Sequence, residues 1–142
     1  MKIIPFDPKH LEEMEINGQS SDVIKIFKSK AADFKYCGPC YTGIYKGKIV
    51  ACAGFIEMWP GVATAWAVLV QSIPRFAVHR AVKKGLATLI ESCNYYRVQA
   101  SVPVDHKAGI RWLEGLGFKQ EAVMVKYGPN QEDFVQYVRL GS

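Results

Sequence analysis

The sequence predicts a single α/β (α+β) domain, built on a mixed, mostly antiparallel central sheet of about seven strands flanked by four helices. Three observations carry this. Val62–Val70 is almost continuously apolar (VATAWAVLV), with turn signals at Pro60-Gly61 and a breaker ending at Pro74. Too short to span a bilayer, it fits a buried central strand. The run feeds a long basic amphipathic helix, with Val78, Val82, Leu86, Leu89, Ile90 and Cys93 on one side and Arg80, Lys83 and Lys84 on the other. Short turns at Lys46-Gly47-Lys48 and Pro60-Gly61 join three strand-like segments, as an antiparallel meander requires.

In chain order, Lys2–Phe6 is a short apolar strand. Asp7-Pro8 then starts a helix, an acidic cap followed by proline in the first turn. That helix runs to about Ile16, with Leu11 and Met14 inward, and Asn17-Gly18 stops it. Ser20 or Ser21 caps a second helix carrying Val23, Ile24, Phe27, Ala31 and Phe34 on one face. Tyr36–Cys40 reads as a loop, and Tyr41–Tyr45, Ile49–Met58 and Ala63–Val70 form the meander. After the basic helix, Tyr95–Val102 alternates as a strand. Asp105 caps a fourth helix bearing Ala108, Trp112, Leu113 and Leu116, and Gly117 ends it. Phe118–Tyr127 and Phe134–Leu140 are the last strands. The strand–helix–strand across 62–102 should be a right-handed parallel crossover. With no repeat, low-complexity tract or long linker, 1–142 reads as one domain.

An apolar content of 49% with 22% charge indicates a globular chain. The N-terminus shows no secretory pattern and no segment is long enough for a spanning helix, which points to a cytoplasmic protein away from the membrane. The net charge of +5 is unevenly placed. Residues 1–36 are neutral, whereas 75–97 hold Arg75, Arg80, Lys83, Lys84 and Arg97 against Glu91 alone. Such a patch steers a phosphate-bearing cofactor or an acidic surface. It lacks the longer basic stripe and aromatic platforms of a nucleic-acid binder. A strand, a breaker and a basic helix start also suit an anionic ligand, although buried strands feed helices in many proteins that bind nothing there.

Cys37-Gly38-Pro39-Cys40 has the letters of a redox dithiol but follows a helix, whereas a reactive pair sits at a helix start that lowers the thiolate pKa. It could form a reversible disulfide or half of a zinc site. Cys52 and Cys93 lie on apolar faces and the three histidines are scattered, so no metal site is assigned. The cysteines are expected to be reduced in the cytosol.

His106–Phe118 reads HKAGIRWLEGLGF. This segment and the order of elements resemble the GCN5-related N-acetyltransferase (GNAT) family, whose fourth-helix segment places a polar residue and an alanine before a helix ending in Leu-Gly-Phe. The resemblance implies acetyl-CoA as cofactor. Its pantetheine arm would pair with the fourth-strand edge at Val68, Leu69 and Val70, where that strand splays from the fifth. Its pyrophosphate would lie at Arg75, His79 and Arg80. The chain departs from the family in having no closely spaced glycines there: PRFAVHRAVKKG reaches its first glycine at Gly85, one or two turns inside the helix. Side-chain charges of Arg75, Arg80 and Lys83 would then replace backbone N–H groups. Many relatives carry a tyrosine that protonates the departing thiolate; Leu113 stands at that position, and His106 matches an asparagine common at the helix start. The combination also resembles small acetyltransferase-like proteins of lytic short-tailed bacteriophages, some named as internal virion or core proteins. That likeness implies a location in host cytoplasm or virion and a host or phage protein as target.

Glu57 ends its strand beside Met58-Trp59-Pro60-Gly61, on the rim that the family layout gives to the acceptor, where a carboxylate could deprotonate an ammonium; a solvated strand-end acid is the plainer reading. Trp59 could wall the acceptor channel or make a protein contact. His79 could donate to a phosphate or act as an acid, His106 could reach the thioester, and Tyr95 and Tyr96 carry phenols suited to protonating a thiolate. Each also reads as structural. His10 reads as a surface helix residue. Two functions follow. One is an acetyl-CoA-dependent N-acetyltransferase acting on a primary amine, with a protein lysine as one candidate. The alternative is a catalytically inactive GNAT-fold phage protein serving as a protein-binding or internal virion component. Monomer and homodimer both stay open.

Overall fold

The computed structural model describes residues 1–14, 30, 32–70 and 75–141. In order these are β1 (Lys2–Pro5), α1 (Lys9–Glu13), α2 (helical at 32–37), β2 (Cys40–Tyr45), β3 (Lys48–Trp59), β4 (Val62–Leu69), α3 (Arg75–Ser92), β5 (Arg97–Pro103), α4 (Lys107–Gly115), β6 (Lys119–Met124) and β7 (Phe134–Leu140). The seven strands form one mixed sheet in the order β1-β2-β3-β4-β5-β7-β6. β1–β2, β2–β3, β5–β7 and β6–β7 pair antiparallel, and β4–β5 pair parallel with α3 as their crossover. The expected α/β class, strand number and helix number all hold. Most of the second-helix expectation (Ser20, Ser21, Val23, Ile24, Phe27, Ala31), the Asn17-Gly18 stop and the breaker 71–74 lie outside the described residues. Contacts divide the chain into two compact units, Met1–Glu57 with Ala65–Lys84, and Met58–Thr64 with Gly85–Ser142.

In the first unit, Phe6, Leu11 and Met14 pack with Val50, Ala51 and Cys52 of β3, Trp66, Val68 and Val70 at the β4 end, and Val78 of α3. Alternation along β4 puts one of its faces, with Trp66, Val68 and Val70, into this cluster, whereas β3 contributes three consecutive residues. Phe6 and Phe34 set their rings against Trp66, with centroids 5.2 and 5.1 Å away. Each large apolar side chain so buried stabilises the fold by roughly 1.5–3 kcal/mol. α1 is short because Met14 already has extended backbone (ψ 128). Asp7 fulfils its capping role one residue ahead of the formal cap, its carboxylate accepting the Lys9 N–H at 3.0 Å; that bond holds its pKa below the ordinary value. Helix α2 continues through Cys37, two residues into the stretch expected to be loop.

His10 is half-buried rather than fully exposed on its helix. Its Nδ1 accepts the Asp7 N–H at 3.1 Å and meets the Thr42 hydroxyl at 2.8 Å, and its ring stands edge-on to Phe6. Thr42, fully buried, also lies 3.5 Å from the Cys52 sulfur, whose thiol donates to Met14 Sδ at 4.0 Å. One polar line thus crosses the apolar core.

In the second unit, Val98, Ala100 and Val102 of β5, Val135 and Tyr137 of β7, and Leu116 and Phe118 after α4 are buried. Gly61 adopts φ +94, and its carbonyl accepts from the Tyr96 and Arg97 N–H groups at 2.9 and 3.1 Å. A Cβ there would overlap the Tyr96 ring, so glycine alone allows both the turn and the close ring. Arg97 grips Glu121 with both terminal nitrogens where β6 is bulged between Gln120 and Ala122, and Gln136 donates to the same carboxylate at 2.7 Å. β6 stops at Met124, short of the expected Tyr127, because Lys126 turns at φ +57 and its N–H is taken by the Asp133 carboxylate at 3.0 Å. Among the described residues no helix is long and apolar enough to cross a membrane.

Candidate functional site

The residues read as a donor-binding edge lie where β4 leads toward α3. The parallel ladder of β4 with β5 comprises Val62–Thr64 against Arg97–Gln99, and the Gln99 amide donates to Thr64 Oγ1 at 3.3 Å on its last rung. From Ala65 onward β4 belongs to the first unit. There Trp66, Val68 and Val70 are buried, and Val70 donates its N–H to Val50 O at 3.0 Å on the β3 side. Backbone groups alternate along a strand. Those of Leu69 and Ala67 therefore point away from β3, to an edge without a ladder partner among the described residues. Of Val68, Leu69 and Val70, it is Leu69 whose amide faces that edge; Val68 and Val70 contribute core side chains.

α3 begins at Arg75 and is anchored by Val78, 1% exposed, with Leu86 buried further on. Arg75, Arg80 and Lys83 are exposed, and His79 is half-buried. Among the described residues no ion pair engages Arg75, Arg80 or Lys83. Gly85 lies ten residues beyond Arg75, nearly three turns in rather than one or two, so no glycine loosens the first turns. Glu57 is exposed near the end of β3, which turns back into β4 through Pro60-Gly61. At the strand rise it lies about 20–25 Å along β3 from Val50, whose carbonyl accepts the Val70 N–H.

His106 caps α4 in place of Asp105: its Nδ1 accepts the Gly109 N–H at 2.8 Å. A Cβ on Gly109 would overlap that nitrogen, so the glycine two residues into the helix is what lets histidine cap it. The ring thus supplies the acceptor that the first turn of α4 needs. Leu113 is half-buried on α4 and offers no proton. Tyr95 is buried, whereas Tyr96 and Trp59 are 57% and 60% exposed. The first unit thus collects Glu57, Val68, Leu69, Val70, Arg75, His79 and Arg80, and the second holds His106.

Two features were not singled out in the sequence. Phe76 is 82% exposed in the first turn of α3, and the helical wheel carries the signal, since it falls off the Val78–Val82–Leu86 face. The His10–Thr42–Cys52 line joins residues far apart in sequence and leaves no local trace. Among the described residues no group of three or more His, Cys, Asp or Glu side chains could hold a metal ion.

The fold is found in several acetyltransferases of known structure. The chain is similar to an acetyltransferase of the GNAT family from Bacillus anthracis (18% identity, 97% of this chain and 93% of that one, TM-score 0.72). It is similar to a spermidine N-acetyltransferase F149A mutant from Vibrio cholerae (10%, 99% and 95%, TM-score 0.70). A third is a ribosomal L7/L12 α-N-protein acetyltransferase in complex with coenzyme A (12%, 97% and 92%, TM-score 0.72). At these identities the likeness is one of fold. No protein-family model and no curated protein matches the sequence.

Proposed function

We propose that the chain is an acetyl-CoA-dependent N-acetyltransferase acting on a primary amine. The observation that carries this reading is the Ala65–Leu69 edge of β4, unclaimed by a ladder partner among the described residues and leading to a helix whose arginines have no acidic partner among those residues. The donor fits these residues: the Leu69 N–H and C=O suit the amides of a pantetheine arm, and Arg75 and Arg80 supply the forked charge a pyrophosphate takes. His79 adds a donor one turn into the helix. The span of about 20–25 Å along the sheet between Val70 and Glu57 is of the order of an extended pantetheine arm.

Bound acetyl-CoA supplies an activated acyl thioester. The chain's own part is to align it along the β4 edge and to strip the incoming ammonium of its proton, a task assigned to the exposed Glu57 carboxylate directly or through water. Leu113 cannot protonate the thiolate. The acceptor class stays at primary amine; a protein lysine is one candidate and a small polyamine another, the latter because one protein of this fold is named for spermidine.

Calorimetric titration with acetyl-CoA tests the reading. Saturable binding is expected, and changing Arg75 and Arg80 together to alanine should weaken it far more than Arg97→Ala, because Arg97 is engaged by Glu121. No saturation at millimolar acetyl-CoA overturns it. The alternative, a non-catalytic body for protein contact, is favoured by one observation, the leucine at 113. Binding of acetyl-CoA without release of free thiol in the presence of any amine would decide for it.

A further inference from the structure

The outer face of α3 carries a second pattern. Phe76, Arg80 and Lys83 stand at i, i+4 and i+7, within about 60° of one another around the helix, and rise about 6 and 10 Å along its axis. All three are exposed, Phe76 at 82%. An aromatic ring that open gains nothing from the core. Its neighbours along the line are cations, and the helix has no acid before Glu91. Among the described residues neither Arg80 nor Lys83 is in an ion pair. A planar ring with anions beside it satisfies both features, the ring by stacking on Phe76 and the anions by pairing with the cations.

We propose that this stripe seats the nucleotide end of the donor: the purine stacks on Phe76, the ribose 3′-phosphate pairs with Lys83, and Arg80 lies between the two groups of phosphates. The assignment rests on the acetyl-CoA reading above and goes beyond it. It makes the nucleotide part of the recognition, so the acyl group is taken from free coenzyme A and not from a phosphopantetheine arm on a carrier protein.

The test is titration of the full chain and of Phe76→Ala, Phe76→Trp and Lys83→Ala with coenzyme A, 3′-dephospho-coenzyme A and 4′-phosphopantetheine. Phe76→Ala is expected to weaken both nucleotide-bearing ligands about tenfold, to leave phosphopantetheine unchanged, and to be rescued by Phe76→Trp. Lys83→Ala should weaken coenzyme A about fivefold and leave the dephospho form unaffected. Both substitutions are on the surface, so circular dichroism should show an unchanged fold. Coenzyme A binding to Phe76→Ala with wild-type affinity overturns the proposal, as does equal loss for all three ligands. If the wild type binds coenzyme A and phosphopantetheine equally tightly, the stripe is idle and only this proposal falls; if it binds neither, the donor-edge reading itself has failed.

Discussion

Replacing Thr42 by valine removes one hydroxyl from the middle of the first unit's core and almost nothing else. The side chain is fully buried and its hydroxyl lies 2.8 Å from His10 Nδ1 and 3.5 Å from Cys52 Sγ. Valine keeps the shape, so no cavity opens. His10 Nδ1 keeps the Asp7 N–H at 3.1 Å, so it is not orphaned. The loss is therefore one neutral hydrogen bond, about 1 kcal/mol, and not the larger penalty of a stranded buried acceptor. Thr42→Ala loses the same bond and a buried methyl as well, roughly 2–3 kcal/mol in all. Urea unfolding followed by circular dichroism and by tryptophan fluorescence is the assay, Trp66 reporting from the same core. The midpoint should fall in the order wild type, valine, alanine at constant slope, and each kcal/mol should lower the Tm by about 2–4 °C. A valine variant as stable as wild type would refute the reasoning, since the polar line would then contribute nothing that a methyl cannot replace.

Further outcomes follow from single sites. Gly61→Ala should destabilise by about 2 kcal/mol or more in the same unfolding assay, from its positive φ and the overlap with Tyr96, and Tyr96→Ala in addition should recover part of that loss. Cys52 should be the slowest thiol to react with a thiol reagent at pH 8, because burial pushes it up to about 11; labelling as fast as Cys37 would show that the core opens. The Arg97 hydrogen bonds, and then that from Gln136, hold Glu121 down at about 2. The stability it lends is present above the ordinary carboxylate value near 4.5 and is lost as pH falls toward 2. Glu121→Gln should flatten that part of the pH–stability profile, and an unchanged slope would mean that the pair is idle. His106→Asn should preserve α4 by circular dichroism while His106→Ala frays it; equal helix content in both would deny the cap.

The elements read well from sequence are those whose signal is local. The Val62–Val70 run, the two short turns of the meander and the Gly117 stop each state their geometry within a few residues, and among the described residues the strands and the third and fourth helices fall within a few residues of expectation. The errors occur where a distant partner decides. His10 looks like a surface residue on a short acidic helix, and only its pairing with Thr42, 32 positions on, takes it part-way inside. Asp105 has the better capping chemistry, yet the cap is His106, because Gly109 leaves room for an imidazole beside its N–H. Val125 and Tyr127 are good strand formers, but the Asp133 carboxylate takes the Lys126 N–H and the chain turns. In the candidate site, Arg75 and Arg80 stand out in the sequence by local charge density alone. The direction of the Leu69 amide needed the Val70–Val50 hydrogen bond to set the phase of the strand. Phe76 leaves its signal only in its angle around the helix, off the Val78–Val82–Leu86 face.

Residue-resolved amide hydrogen exchange with and without acetyl-CoA bears most directly on the β4 edge. The Ala67 and Leu69 amides should exchange faster than those of Val68 and Val70 in the free chain, and should gain protection when acetyl-CoA saturates it. Amides at 67 and 69 already as slow as that of Val70, or unmoved by the ligand, would contradict the account.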